Sequence, residues 1–164
     1  MRKFLFIFLW CIGIVCVEVS ANGNISGKVV AVIDGNTIEV LGEDKETYKI
    51  VLAGVDSPEL TQEYGEKAKK YLEKILLQKE VAVQFQGKDR KGNYIAVVLH
   101  GNIDPRIELL KEGLAWTAER DPLPELEIHR VSAEEKNRGL WKDENPTPPW
   151  IHRREQSMTQ PKSS

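Results

Sequence analysis

Three segments rich in apolar, β-branched side chains lie near the start of the chain, separated by polar stretches. They predict β-strands over residues 25–33, 37–41 and 48–55. The first two strands are separated by Asp34-Gly35-Asn36, where Gly and Asn tolerate the positive φ of a tight hairpin turn. A polar stretch over 42–46 predicts the second turn.

The period then changes to that of a helix. Over 63–78 apolar side chains recur at helical spacing and charged side chains fill the other faces, which predicts an amphipathic helix. The remaining pattern predicts two strands followed by two helices, over 81–85, 94–100, 105–112 and 124–138. Asp104 suits the N-cap of the first of these helices, and Gly113 suits its end.

The predicted order is therefore three strands, a helix, two strands and two helices. Five short strands with a helix between the third and the fourth is the layout of an OB-type β-barrel. We predict an α+β fold, a five-stranded OB-fold barrel with about three helices, in a domain over residues 22–150. A generic α+β sandwich is the alternative arrangement of the same elements.

The first 21 residues have the layout of a secretory signal peptide. Arg2 and Lys3 precede an apolar run over 4–17, and Val19-Ser20-Ala21 offers small residues where a signal peptidase cleaves. A membrane-spanning helix needs about 20 apolar residues, so this shorter run favours cleavage after Ala21. We expect an exported protein, periplasmic or extracellular, that keeps no membrane span.

Composition narrows the chemistry of the mature chain. Both cysteines, Cys11 and Cys16, lie in the predicted signal peptide, so no disulfide or thiol chemistry is expected after it. The signal peptide holds two of the chain's 23 basic and one of its 25 acidic side chains, which leaves 21 and 24 and a formal net charge of −3. Proteins that bind nucleic acid by bulk electrostatics are basic, so phosphate binding here has to be local.

The end of the chain is rich in proline and then polar. This composition predicts a disordered tail over 151–164, in which His152-Arg153-Arg154 is solvated. Trp150, just before the tail, is either an anchor that folds the tail back or a stacking platform for a base.

Short motifs follow one another at regular places in the chain: DGNT at 34–37, LAGVDSPE at 52–59, YGEKA at 64–68 and DRKGN at 89–93, with LLKEGLAW, GLW and NPTPPW after them. In this order they resemble the motifs of the staphylococcal nuclease (thermonuclease) family, usually written D-G-D-T, L-x-G-[IV]-D-[AT]-P-E and D-[RK]-Y-G-R. The resemblance covers about residues 26–150 and implies the same OB-type barrel.

The resemblance also implies metal-assisted hydrolysis of DNA or RNA phosphodiester bonds. In the family a calcium ion binds two motif aspartates, a glutamate acts on the attacking water, and two arginines clamp the phosphate. Carried over by position, Asp56 is a metal ligand and Glu59 is the general base. Asp34 and Thr37 match their places in the hairpin motif.

Three of the five charged positions that carry this chemistry are replaced. The first calcium aspartate is Asn36, the strand arginine is Val51, and the loop arginine is Asn93. Removing one oriented transition-state donor costs on the order of 10² to 10³ in rate, so the loss of both arginines leaves little activity. Asn36 offers calcium an oxygen but no charge, so weakened calcium binding is expected.

Three nearby cations are candidates to replace the missing arginines. Lys49 lies two residues from Val51 and therefore on the same face of its strand, while Arg90 and Lys91 belong to the loop that contains Asn93. A lysine gives a phosphate a point charge without a bidentate fork. Solvated surface is the alternative interpretation of all three.

Two hypotheses follow. The favoured one is a catalytically impaired, monomeric nuclease-like module that binds DNA, RNA or another ligand. The alternative is an active calcium-dependent endonuclease, for which Asp56 and Glu59 are the supporting residues. An OB-type barrel hosts many ligands, so the fold alone does not choose between them.

Overall fold

The computed structural model describes residues 23–159. The predicted signal peptide, residues 1–21, and the last five residues of the predicted tail lie outside the described residues. None of the helices within 23–159 has the length and apolar character needed to cross a bilayer.

The described elements are seven strands, four α-helices and one 3₁₀ helix. In chain order they are β1 (Asn24–Val32), β2 (Thr37–Gly42), β3 (Thr47–Leu52), β4 (Val55–Asp56), α1 (Gly65–Leu76), β5 (Glu80–Lys88), β6 (Tyr94–Leu99), α2 (Pro105–Lys111), β7 (Trp116–Thr117), α3 (Pro124–Glu135), the 3₁₀ helix (Gly139–Lys142) and α4 (Pro149–Thr159).

Five strands close into a barrel in the order β1-β2-β3-β6-β5. The β3–β6 pair is parallel and its neighbours are antiparallel. Along β3, the side chains of Ile50 and Leu52 are buried and that of Lys49 is exposed, because successive side chains of a strand point to opposite faces of the sheet. The predicted α+β fold with a five-stranded OB-type barrel is confirmed.

Helix α1 covers the barrel with a single apolar stripe. Ala68, Leu72 and Leu76 recur every four residues and are fully buried in the same core as the inward side chains of the strands. Fully burying one leucine is worth about 2 kcal/mol, so this stripe is a main source of the helix's stability. The amphipathic period predicted this helix to within two residues at each end.

The third predicted strand is split in two. Strand β3 ends at Leu52, and Gly54 adopts a φ of +77°, which turns the chain out of the barrel. The following strand, β4, pairs instead with β7 in a separate two-stranded sheet that the sequence pattern did not predict.

The disorder predicted for the tail over 151–164 is wrong over residues 151–159, which belong to α4 (Pro149–Thr159), and residues 23–159 contain four α-helices where about three were predicted. The physical reason is a set of tertiary contacts that local composition does not register. The Trp150 ring packs edge-on against Trp116, with ring centroids 5.7 Å apart. Trp150 is therefore an anchor for the segment that follows it.

The hairpin turn between β1 and β2 needs its glycine for space and not for a positive φ. Neither Gly35 nor Asn36 has a positive φ, contrary to the sequence-based expectation. A Cβ on Gly35 would lie 2.5 Å from the Ser57 Cβ and 2.7 Å from the Ala68 Cβ. The turn is thus pressed against both the 55–57 segment and α1.

A second close backbone approach joins the end of α2 to the start of the 3₁₀ helix. Gly113 has a φ of +64°, and its missing Cβ would lie 2.1 Å from the Arg138 carbonyl oxygen. Gly139 faces it from the other side, where a Cβ would lie 2.2 Å from the Gly113 oxygen. The stop signal predicted at Gly113 is confirmed, with packing as a second reason for it.

Gly113→Ala should therefore destabilise the protein by more than the positive φ of this residue alone would cost. Gly101 is the matched control, since its φ is +57° and a Cβ there meets nothing within 4 Å. We expect Gly101→Ala to cost about 1 kcal/mol from the left-handed backbone alone. Gly113→Ala should cost at least about 2 kcal/mol more, because the added methyl overlaps backbone atoms that cannot rotate away. Urea denaturation measures both, and equal losses would contradict the close approach.

Candidate functional site

One open groove of about 730 Å³ collects the predicted site residues. It is bounded by the β1–β2 turn, β3, the segment after β4, the β5–β6 loop and α4. All eight lie along it: Asn36, Lys49, Val51, Asp56, Glu59, Arg90, Lys91 and Asn93. The fold therefore assembles the set, and the geometry of each side chain shows what it can do there.

Asn36 joins the hairpin turn to the second motif. Its side-chain Nδ2 donates to the Val55 carbonyl at 3.4 Å, and its Oδ1 accepts from the Ser57 N–H at 3.3 Å. Its backbone carbonyl accepts from the Leu52 N–H at 2.9 Å. Both ends of the amide are thus bonded to the fold, in the place where the resemblance puts a calcium-binding carboxylate.

Asp34 and Ser57 complete this junction. An Asp34 carboxylate oxygen accepts from the Asn36 N–H at 2.9 Å, which is the bond that shapes an Asx turn. The buried Ser57 hydroxyl donates to the Gly35 carbonyl at 3.0 Å. Asp34 therefore has a local structural role, whatever else its charge does in the groove.

Asn93 has a corresponding role in the β5–β6 loop. Its N–H and its side-chain Nδ2 donate to the two carboxylate oxygens of Asp89, at 2.9 and 2.8 Å, and the Lys91 N–H donates at 2.8 Å. The Asn93 side chain is the main cause that lowers the pKa of Asp89. The residue in place of the loop arginine therefore closes the loop and does not extend a charge from it.

Asp56 and Glu59 are bound by an arginine that sequence reasoning assigned to the solvated tail. The Arg153 Nη1 donates to Asp56 Oδ1 at 3.1 Å and to Glu59 Oε1 at 2.6 Å, and its Nη2 donates to Asp56 Oδ2 at 2.7 Å. We call Asp56 and Glu59 the acid pair. No local signal in the sequence could link residues 97 positions apart.

The surroundings of Asp56 shift its pKa in opposite directions. Burial raises its pKa, the Arg153 hydrogen bonds lower it, and the charges of Glu59 and Asp34 raise it again. The hydrogen bond to Asp56 correspondingly raises the pKa of Arg153. One guanidinium thus pairs with two carboxylates while Asp34 adds a third negative charge near Asp56, so this part of the groove stays negative.

Contacts on both sides of Arg153 hold α4 in place. His152 Nε2 lies 2.9 Å from the Thr61 hydroxyl, and Gln156 donates to the same hydroxyl at 3.3 Å. Arg154 forms an ion pair with Glu119. The helix is therefore fixed by polar contacts on either side of Arg153 and by the Trp150 anchor at its start.

Three cations line the same groove as the acid pair. Lys49 projects from β3, and Arg90 and Lys91 lie in the β5–β6 loop; all three are exposed. Within residues 23–159 none of the three forms a salt bridge. Their charges are therefore available to a ligand in the groove.

The donor set present does not fit the calcium site that the resemblance implies. Across residues 23–159, no three His, Cys, Asp or Glu side chains are grouped so that they could hold a metal ion. The acid pair already accepts hydrogen bonds from Arg153, and the Asn36 oxygen accepts from Ser57. A hard cation with six to eight oxygen ligands would need these same oxygens.

Comparison with known proteins agrees with this architecture. A family model described as "Staphylococcal nuclease homologue" matches residues 49–143. A protein of Escherichia coli named "Uncharacterized endonuclease" is 33% identical over 159 residues, 93% of this chain and 98% of its own. A protein of the same name from Haemophilus influenzae is 34% identical over 132 residues, 80% of this chain and 74% of its own. A "Micrococcal nuclease" of Shigella flexneri is 30% identical over 153 residues, 86% of this chain and 87% of its own.

Restoring the family's aspartate at position 36 should weaken the fold. In Asn36→Asp the donor to the Val55 carbonyl is replaced by a carboxylate oxygen, which repels that carbonyl and adds a negative charge beside Asp34 and Asp56. We expect a loss of about 1–2 kcal/mol in the free energy of unfolding at neutral pH. Urea denaturation measures it against the exposed Asn102→Asp control, and an unchanged or higher stability would contradict the assigned amide bonds.

Proposed function

Because this chain belongs to the staphylococcal nuclease family, we propose that it is an exported nuclease-like domain that binds a strand of DNA or RNA along the groove. We propose further that it does not hydrolyse that strand by the calcium-assisted route of the family. The place of export is periplasmic or extracellular, and the form that acts is the chain from residue 22 onward.

The observation that carries this proposal is the state of the two asparagines. The side-chain amides of Asn36 and Asn93 are bonded to the Val55–Ser57 backbone and to Asp89. Val51, at the third replaced position, has no polar atom in its side chain. Since each lost transition-state donor costs on the order of 10² to 10³ in rate, hydrolysis by the inherited mechanism falls to near background. The losses act on one transition state and need not multiply.

Binding requires less than catalysis does. Lys49, Arg90 and Lys91 provide three exposed cations along the groove, and each can pair with one phosphate. This local cluster explains how a domain of net negative charge is able to hold a polyanion. Three phosphate contacts on a single strand give a slope of about −2 in log K against log salt concentration.

Neutralising these cations should therefore weaken the binding of single-stranded DNA or RNA. The variant Lys49→Gln/Arg90→Gln/Lys91→Gln is compared with Lys70→Gln/Lys74→Gln/Lys79→Gln, which removes the same charge from exposed positions outside the groove. Fluorescence anisotropy with a labelled oligonucleotide should show at least about a tenfold loss and a flattened salt slope in the first variant only. Equal losses in both variants would show that the groove is not the binding surface.

The second candidate, an active endonuclease, is favoured by a different observation. Asp56 and Glu59 lie in the same groove as the three cations, so a general base and phosphate-binding charge are present together. Cleavage of single-stranded DNA and RNA is assayed with calcium and with a chelator, beside Glu59→Gln. Calcium-dependent cleavage that this substitution removes would establish the enzyme and overturn the proposal of a non-hydrolysing module.

The export part of the proposal has its own test. Expression of the full chain in a bacterium with a general secretion pathway should yield a processed protein outside the cytoplasm that begins at Asn22. Intact-mass measurement of the purified protein gives the cleavage position. A protein that stays in the cytoplasm with residues 1–21 attached would contradict export.

A further inference from the structure

We propose that Arg153 is a built-in counter-cation that takes the place of a divalent metal ion on the acid pair, so that docking of α4 and metal binding exclude each other. The inference deepens the proposed function, on which it rests for the identity of the groove. The contacts made by α4 support it independently.

Arg153 and a metal ion would bind the same oxygens of the acid pair. Three oxygens of the acid pair accept from one guanidinium, at 3.1, 2.7 and 2.6 Å. These are the oxygens with which two carboxylates would bind a hard cation. A metal ion and the guanidinium carry charges of the same sign, so neither can enter while the other occupies this position.

Contacts along the whole of α4 hold Arg153 at the acid pair. His152 and Gln156 bind the Thr61 hydroxyl, and Arg154 pairs with Glu119 on the far side. The carbonyl of Thr147, just before the helix, accepts from the Gln62 side chain at 2.9 Å. The arginine is thus a tethered competitor, whose effective concentration at the acid pair is in the millimolar range or above.

Without Arg153, the negative charge of the acid pair would remain in the groove. Asp34, Asp56 and Glu59 line the same groove, and Asn36, whose N–H donates to Asp34, is bonded to the backbone on either side of Asp56, so the three carboxylates lie near one another. Removing the guanidinium leaves their repulsion uncompensated and opens the acid pair to solvent cations. A site with only two direct carboxylates belongs at the weak end of calcium affinities, about 1 mM.

Removing Arg153 should therefore create a calcium site. Isothermal titration with CaCl₂ is performed on the exported chain, on Arg153→Gln, and on Lys74→Gln, a control that removes one positive charge from an exposed position outside the groove. We expect Arg153→Gln to bind calcium at least about tenfold more tightly than the other two, because two partly exposed ion pairs no longer have to be broken. Calcium should also raise the melting temperature of Arg153→Gln alone.

Two results would overturn the inference. One is calcium binding by the unchanged chain as tight as that of Arg153→Gln, which would mean that the guanidinium does not compete. The other is no gain in Arg153→Gln, which would mean that the acid pair is not a latent metal site. Adding Asp56→Asn to Arg153→Gln must abolish the gained binding, or the calcium lies elsewhere.

A second readout covers the case in which Arg153→Gln folds poorly. Trp150 lines the groove, so terbium bound at the acid pair is close enough for energy transfer from the indole. In Arg153→Lys, which keeps the charge but loses the fork, the sensitised terbium emission should lie between those of the unchanged chain and Arg153→Gln. Emission equal in all folded variants counts against the inference. The oligonucleotide measurements above are separate, so loss of the nucleic-acid proposal leaves this result standing.

Discussion

The site depends on one close contact, that of the β1–β2 turn with the segment that follows β4. No side chain fits at Gly35, where a Cβ would overlap Ser57, and Asn36 donates to and accepts from the backbone on either side of Asp56. This contact fixes where the chain leaves the barrel after Gly54. It thereby sets the position of Asp56 relative to Asp34, and the acid pair, the groove and the seat of α4 all follow from it.

The same contact explains how the turn accommodates an asparagine. A carboxylate at position 36 would face the Val55 carbonyl, and in a site that already holds Asp34 and Asp56 it would require a cation to balance it. An amide satisfies both the carbonyl and the Ser57 N–H without any cation. The structure at this turn is therefore independent of a metal, in agreement with a donor set that does not fit calcium.

Sequence reasoning predicted what depends on local period and on short motifs. The apolar, β-branched segment at 48–55 predicted β3, and the helical spacing of Ala68, Leu72 and Leu76 predicted α1. The motifs also identified candidate residues that all line one groove in the structure. Helix α4 was missed because its composition is polar and its stability comes from Trp116, Thr61 and Glu119, which are distant in sequence.

The roles of Asp56 and Glu59 change once Arg153 is seen. Asn36, Val51 and Asn93 stand where the family has charged partners for the two carboxylates, which is why we propose that they do not act on a phosphate by the family's route. They instead provide the anionic seat for a cation carried by the chain itself, at 2.6–3.1 Å. The groove thus holds three exposed cations, Lys49, Arg90 and Lys91, together with an acid pair that is bound by Arg153 of α4. For the proposed function this arrangement matters because a bound strand would meet an acid pair whose negative charge Arg153 compensates in part, without a metal ion.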